Sequence, residues 1–255
     1  TSTVLKTLFQ GDRLVVLAQT GVEEGLRRWA RAAASAAPVS PRLPDPPITG
    51  WSSWYNLYAA ITEDNIREHL HAAAEVVRRE NLPMRVFQID DGFTPEMGDW
   101  LAVRPTFPSG MKALLAEIRR AGFVPGLWIA PFMVGNRSQL FRQHPDWVVQ
   151  DAVTGEPLVQ AVFYGEFRWH KRSEEYYILD TTHPDALAYL ERVFRTWHED
   201  WGCAYFKTDF MHYGMAHGPD RARHYRSGIT RAEIFRQTLE RIRAAIGNSL
   251  WLGSG

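Results

Sequence analysis

From residue 48 to residue 252 the sequence alternates between short apolar runs and amphipathic ones, and this alternation limits the fold more than any other feature. Residues 48–55, 84–90, 123–130, 203–209 and 249–252 are strand-like, rich in aromatic and branched aliphatic side chains. Between them the pattern turns helical over 62–80, 110–121, 184–201 and 230–246. Thr62 is placed to cap the first of these helices, Gly122 closes the second, and Pro184 suits the first turn of the third. Strand followed by helix, repeatedly, signals right-handed βα units and a parallel sheet.

The long connections all follow the C-terminal ends of strands, as in a (β/α)8 TIM barrel, whose site is built from those loops. A doubly wound open sheet is the alternative. It would usually carry a glycine-rich phosphate turn after its first strand, where this chain has Trp51-Ser52-Ser53-Trp54. Five strand-like runs are present, or six if residues 176–180 join the sheet, and a closed barrel needs eight. The expectation is therefore an α/β chain with an incomplete barrel of about five βα units.

Upstream, residues 4–18 hold two apolar runs around Gly11-Asp12, a hairpin-like β fragment too small to stand alone. Residues 21–37 read as helix. Five prolines between positions 38 and 47 then make a stiff linker. This places a domain boundary near residue 48, with a connecting segment at 1–48 and the barrel segment at 49–255. The chain starts at Thr1 and ends directly after a strand-like run, so a piece of a longer protein is expected.

Net charge is zero, with 29 basic and 29 acidic residues, and no basic run marks a nucleic-acid partner. No apolar stretch approaches the ~20 residues of a membrane span. A cytoplasmic location is expected, with a secretion signal upstream of Thr1 left open, and homo-oligomerisation is open too. The single Cys203 rules out a disulfide within the chain and any cysteine-based metal site.

The chemistry gathers at the strand ends. The first run ends in GWSSWY, the second in Asp90-Asp91-Gly92, the third carries Trp128, and the fourth ends in Lys207-Thr208-Asp209. On one rim these supply carboxylates, an ammonium and indoles. Carboxylates bind sugar hydroxyls, and indoles stack on the apolar face of a sugar ring. Lys207 and Asp209 are two apart and share a strand face. On residues alone, a buried ion pair and a catalytic pair fit them equally well, and Asp90-Asp91-Gly92 fits a turn with a helix cap as readily as a binding pair. The histidines are scattered, and His69 and His71, two apart on a helix, face different ways. No metal or organic cofactor is expected.

Eight motifs, GWSSWY (50–55), FQIDDGF (87–93), GDW (98–100), FPSG (107–110), GFVPGLWIAPF (122–132), HPDW (144–147), YYILD (176–180) and YFKTDF (205–210), stand in an order and spacing that resembles the microbial α-galactosidases of glycoside hydrolase family 36, the melibiases. The resemblance covers residues 50–255. It implies that Asp209 is the nucleophile of a retaining α-galactosidase acting on melibiose- or raffinose-type oligosaccharides. It further implies that Asp90 and Asp91 bind galactose hydroxyls, that Lys207 binds the sugar beside the nucleophile, and that Trp54 and Trp128 wall the pocket. Under it, residues 176–180 belong to the excursion after the third strand, and residues 1–48 to the end of an N-terminal β-sandwich domain with its connection. Ser254 stands where the family has a cysteine near the sugar, and its hydroxyl can still donate a hydrogen bond. The family's acid/base aspartate lies beyond Gly255, so the chain by itself is expected to be inactive. A raffinose-synthase-type galactosyl transferase, a non-catalytic galactoside-binding protein and a metal-dependent barrel hydrolase stay open at this point.

Overall fold

The computed structural model describes residues 16, 18, 21–37, 40, 42–162 and 173–253. The chain divides into two units, Thr1–Asp45 and Pro46–Gly255. In the first, α1 (Val22–Ala36) has Glu23 and Glu24 in its first turn, where the helix dipole favours negative charge, and Arg27 pairs with Glu23 one turn on. The hairpin expected over 4–18, and with it the end of a β-sandwich, falls outside the described residues apart from Val16 and Ala18.

The second unit runs in chain order through β1 (Gly50–Ser52), α2 (Trp54–Leu57), α3 (Glu63–Glu80), β2 (Val86–Ile89), α4 (Gly110–Arg120), β3 (Val124–Ile129) and β4 (Met133–Gly135). It continues through α5 (Gln139–Gln143), β5 (Gln150–Asp151), β6 (Val159–Val162), β7 (Glu175–Ile178), α6 (Pro184–Arg195), β8 (Tyr205–Thr208), β9 (Ala222–Arg223), α7 (Arg231–Ile246) and β10 (Leu250–Gly253). Five strands form one sheet in the order β1-β2-β3-β8-β10, every pair parallel. Helices α3, α4, α6 and α7 lie in the crossovers, as the alternation predicts.

Local chemistry sets the helix starts. Thr62 and Asn65 form a reciprocal capping box on α3, and Thr230 and Glu233 form one on α7. Apolar side chains four apart face the sheet: Ile66 and Leu70 on α3, Leu114 and Ile118 on α4, Leu190 and Phe194 on α6. They pack with Phe87, Ile89, Leu127, Ile129 and Phe206 of the strands in one core. All four residues of β2 are buried, as expected of a parallel strand covered on both faces.

Residues 176–180 stay out of the main sheet, as the resemblance implies: β7 pairs antiparallel with β4 and β6 in a separate three-stranded sheet. Two other details depart from the sequence reading. The run 48–55 is extended only over Gly50–Ser52, and Trp54–Leu57 turns helical. The helix over 184–201 is α-helical to Arg195 and widens into a π-turn over Thr196–Asp200. Among the described residues no helix is long and apolar enough to cross a membrane.

Candidate active site

Because the five strands are parallel, their C-terminal ends lie on one side of the sheet. Asp90 and Asp91 follow β2, Trp128 sits near the end of β3 in register with Lys207 of β8, and Asp209 is one residue past β8. These side chains and Trp54 line a pocket of about 160 Å³, together with Tyr55 and Phe210. Sequence reasoning did not select the last two, although each is the immediate neighbour of a residue it did select.

Asp90 is the centre of the polar network and is only 2% exposed. Three donors converge on its Oδ2: Gln88 Nε2 at 2.7 Å, Lys207 Nζ at 2.8 Å and Ser52 Oγ at 3.2 Å. Its Oδ1 accepts from the Asp91 backbone N–H at 2.9 Å, and its own N–H donates to Ser53 Oγ at 2.9 Å. A buried carboxylate needs such partners to offset the loss of water. Ser52, Ser53 and Gln88 are thus positioning residues that the sequence left unassigned. The available signal for Gln88 was its spacing of two from Asp90, which places both on one strand face.

Two glycines make this packing feasible. Gly92 has φ +124°, and a Cβ there would meet the Ala59 carbonyl oxygen at 2.8 Å. Gly126 of β3 lets Tyr205 and Gln88 approach across it: a Cβ there would lie 2.6 Å from the Tyr205 ring and 3.3 Å from Gln88 Cβ.

Asp209 is held differently. Trp128 Nε1 donates to its Oδ2 at 3.2 Å, the Phe210 backbone N–H donates to its Oδ1 at 2.8 Å, and its own N–H donates to the Ile129 carbonyl at 2.9 Å. Phe210 adopts φ +51°, a left-handed conformation costing an L-residue roughly 1–2 kcal/mol. That turn aims the Phe210 N–H back at the carboxylate.

The ion pair of Lys207 is with Asp90, two strands away, where the sequence suggested Asp209 as its partner. The two-residue period fixes only which face a side chain takes, and only within a strand. Asp209 lies in the turn beyond β8, and the order β2-β3-β8 puts Asp90 within reach of the long lysine. Trp54 lines the pocket from α2, its ring edge-on to Tyr58 at 5.4 Å. Ser254 lies outside the described residues. Cys203 is buried, and burial pushes its thiol up to about 12, as for an inert core residue.

Another buried carboxylate, Asp180, was given no role in the sequence reading. It is 2% exposed and accepts from the Tyr225 backbone N–H at 2.6 Å and from Thr182 Oγ1 at 2.7 Å, with His224 Nδ1 at 3.1 Å. Burial alone would raise its pKa, but the hydrogen bonds from His224, the Tyr225 N–H and Thr182 outweigh it and hold the carboxyl below its usual range. Among the described residues no three His, Cys, Asp or Glu side chains are grouped to hold a metal ion.

The family model described as Melibiase matches residues 47–239. Alpha-galactosidase AgaA of Geobacillus stearothermophilus is 32% identical over 103 residues, which are 38% of this chain and 13% of that protein. The alpha-galactosidase of Escherichia coli is 25% identical over 150 residues, 56% of this chain and 18% of that protein. Among solved structures, TtGalA, an alpha-galactosidase from Thermus thermophilus in complex with stachyose, superposes with a TM-score of 0.68 at 31% identity. That match covers 84% of this chain and 41% of the Thermus chain. The chain thus spans less than a fifth of the curated relatives' length and about two-fifths of the Thermus protein's.

Proposed function

The chain belongs to the melibiase family, and from that premise we propose that it carries the nucleophile half of a retaining α-galactosidase. The substrate class is terminal α-galactosides of the melibiose and raffinose type. Asp209 attacks the anomeric carbon and forms a covalent galactosyl-enzyme as the glycosidic bond breaks. A second carboxylic acid, about 5–5.5 Å from the first, protonates the leaving oxygen and then activates the water that releases galactose. We assign that second group to the part of the protein beyond Gly255.

The observation that carries this reading is the turn at Asp209. Both carboxylate oxygens are already oriented, one by the Trp128 indole N–H and one by the Phe210 N–H, in a pocket at the sheet's C-terminal rim. A nucleophile held by donors on its flanks needs little reorganisation on attack. Asp90 and Asp91 serve the sugar hydroxyls in this reading, with Lys207 fixing Asp90 and serving the sugar from the same ammonium. Trp54 and Trp128 supply the apolar walls, and Ser254 a further hydroxyl contact.

A fluorinated galactosyl inactivator traps such an intermediate on the intact protein. Peptide mass spectrometry should find the adduct on Asp209, and an adduct on any other residue would sink the assignment. Asp209→Asn should lose turnover by several orders of magnitude while retaining galactose binding.

A further inference from the structure

The segment 211–230 leads from the turn after Asp209 to α7 and walls a second cavity, of about 570 Å³. It shares no lining residue with the pocket around Asp209. His217, Arg223, His224, Arg226 and Arg231 line it, and none of the described residues lining it is Asp or Glu. The three arginines give the lining itself a positive charge, while burial and neighbouring arginines lower the pKa of His217 and favour its neutral form.

Among the described residues these arginines make no close ion pair, although Arg226 attracts the Glu233 carboxylate at longer range. Arg223 donates to the neutral Gln150 Oε1, and Arg231 donates one Nη1 bond to the Met215 carbonyl at 3.2 Å. Among the described residues Arg226 makes no ion pair; its backbone N–H donates to Thr182 Oγ1 at 3.0 Å, which anchors the residue without using the guanidinium. Three carboxylates lie near the cavity: Asp220, which acts on His217, and Asp180 and Glu233, which are hydrogen-bonded elsewhere. Asp180 faces His224, and Glu233 is folded back onto the Thr230 N–H and hydroxyl at 2.9 and 2.8 Å.

We propose that this cavity binds a phosphoryl group, borne by a small sugar phosphate or by free inorganic phosphate. Three guanidinium groups lining one cavity suit a tetrahedral group with several charged oxygens, since each fork can take two. The volume exceeds what phosphate alone fills and falls in the range of small-molecule pockets. Ala152, Ala222 and Ile234 give the remainder of such a molecule an apolar floor.

Isothermal titration of the intact protein with sodium phosphate, with glucose 6-phosphate and with sodium chloride at matched ionic strength tests the site. Saturable binding of either phosphate compound, absent with chloride, is expected. Tighter binding of the sugar phosphate would identify a phosphorylated organic ligand, and equal binding would identify free phosphate. Arg226→Ala should weaken binding about tenfold, as for the loss of one charge-assisted contact, with the ligand-free melting temperature unchanged. Arg226→Lys should recover part of the affinity. Asp209→Asn should leave it unaltered, because the two pockets share no residue. The proposal is overturned if chloride reproduces the phosphate heats, if Arg226→Ala binds phosphate like the wild type, or if Asp209→Asn abolishes binding.

Discussion

At the scale of single residues, the site depends on where one ammonium goes. Lys207 satisfies a carboxylate that is 2% exposed, and its own side chain is 15% exposed. Replacing it with Met leaves Asp90 charged in a dry setting. The cost should sit toward the low end of the ~3–5 kcal/mol seen when a buried pair loses one member, because Gln88 and Ser52 still donate. Chemical denaturation of Lys207→Met should show that loss, and adding Asp90→Asn in the same chain should recover part of it. A double variant as unstable as the sum of the singles would show that the pair is not coupled. The pocket-lining residues stood out at strand ends in the sequence, but their proposed roles came from the family resemblance, since on residues alone Asp90-Asp91-Gly92 fits a turn and Lys207 with Asp209 an ion pair equally well. Their pairing was not legible, since spacing along β8 says nothing about which strand lies two places across the sheet. Ser52, Ser53 and Gln88 were overlooked for the same reason: ordinary polar residues gain a role only from the carboxylate brought beside them.

At the scale of elements, β3 is the strand over which the site is assembled. Gly126→Ala would drive a methyl into the Tyr205 ring and against Gln88, both packed from neighbouring strands. A loss of about 1–3 kcal/mol in unfolding free energy is expected, typical of overpacking, and measurable by urea titration. Wild-type stability in this variant would mean that Tyr205 swings aside freely. The corner between β7 and α6 is tied to the 222–226 segment through Asp180, whose carboxyl is held below its ordinary range. A depressed folded-state pKa contributes stability above the unfolded value of about 3.9, and that stability is lost as pH falls through the folded value. Asp180→Asn should therefore melt lower than wild type at pH 7, with the gap closing below about pH 4. A gap that stays constant through that acid range would contradict the linkage. Helix positions and starts were readable, because capping boxes and apolar spacing are local. The second sheet was not readable from composition, because β7 looks like a core strand; the family resemblance set residues 176–180 outside the barrel strands, and the structure supplies their partners β4 and β6.

At the scale of the whole molecule, β1 and β10 each have one neighbour in the main sheet among the described residues. The solved relatives carry the α-galactosidase name over a much longer chain. We propose that the five βα units form part of a barrel completed by strands outside this chain. Unpaired parallel edges are templates for association, so the 255-residue chain alone should elute as oligomers or aggregate and should not hydrolyse a nitrophenyl α-galactoside. A monomeric, active preparation would refute this. The sequence by itself determined the order of strands and helices, the linker, and which residue types stand at the strand ends, because periodicity and capping act over a few residues. The tertiary structure alone decided that Lys207 neutralises Asp90, that the Trp128 indole and the Phe210 turn orient Asp209, and that five basic side chains border a separate cavity. Those outcomes depend on which segments become neighbours across the sheet, and no local interaction along the chain specifies that.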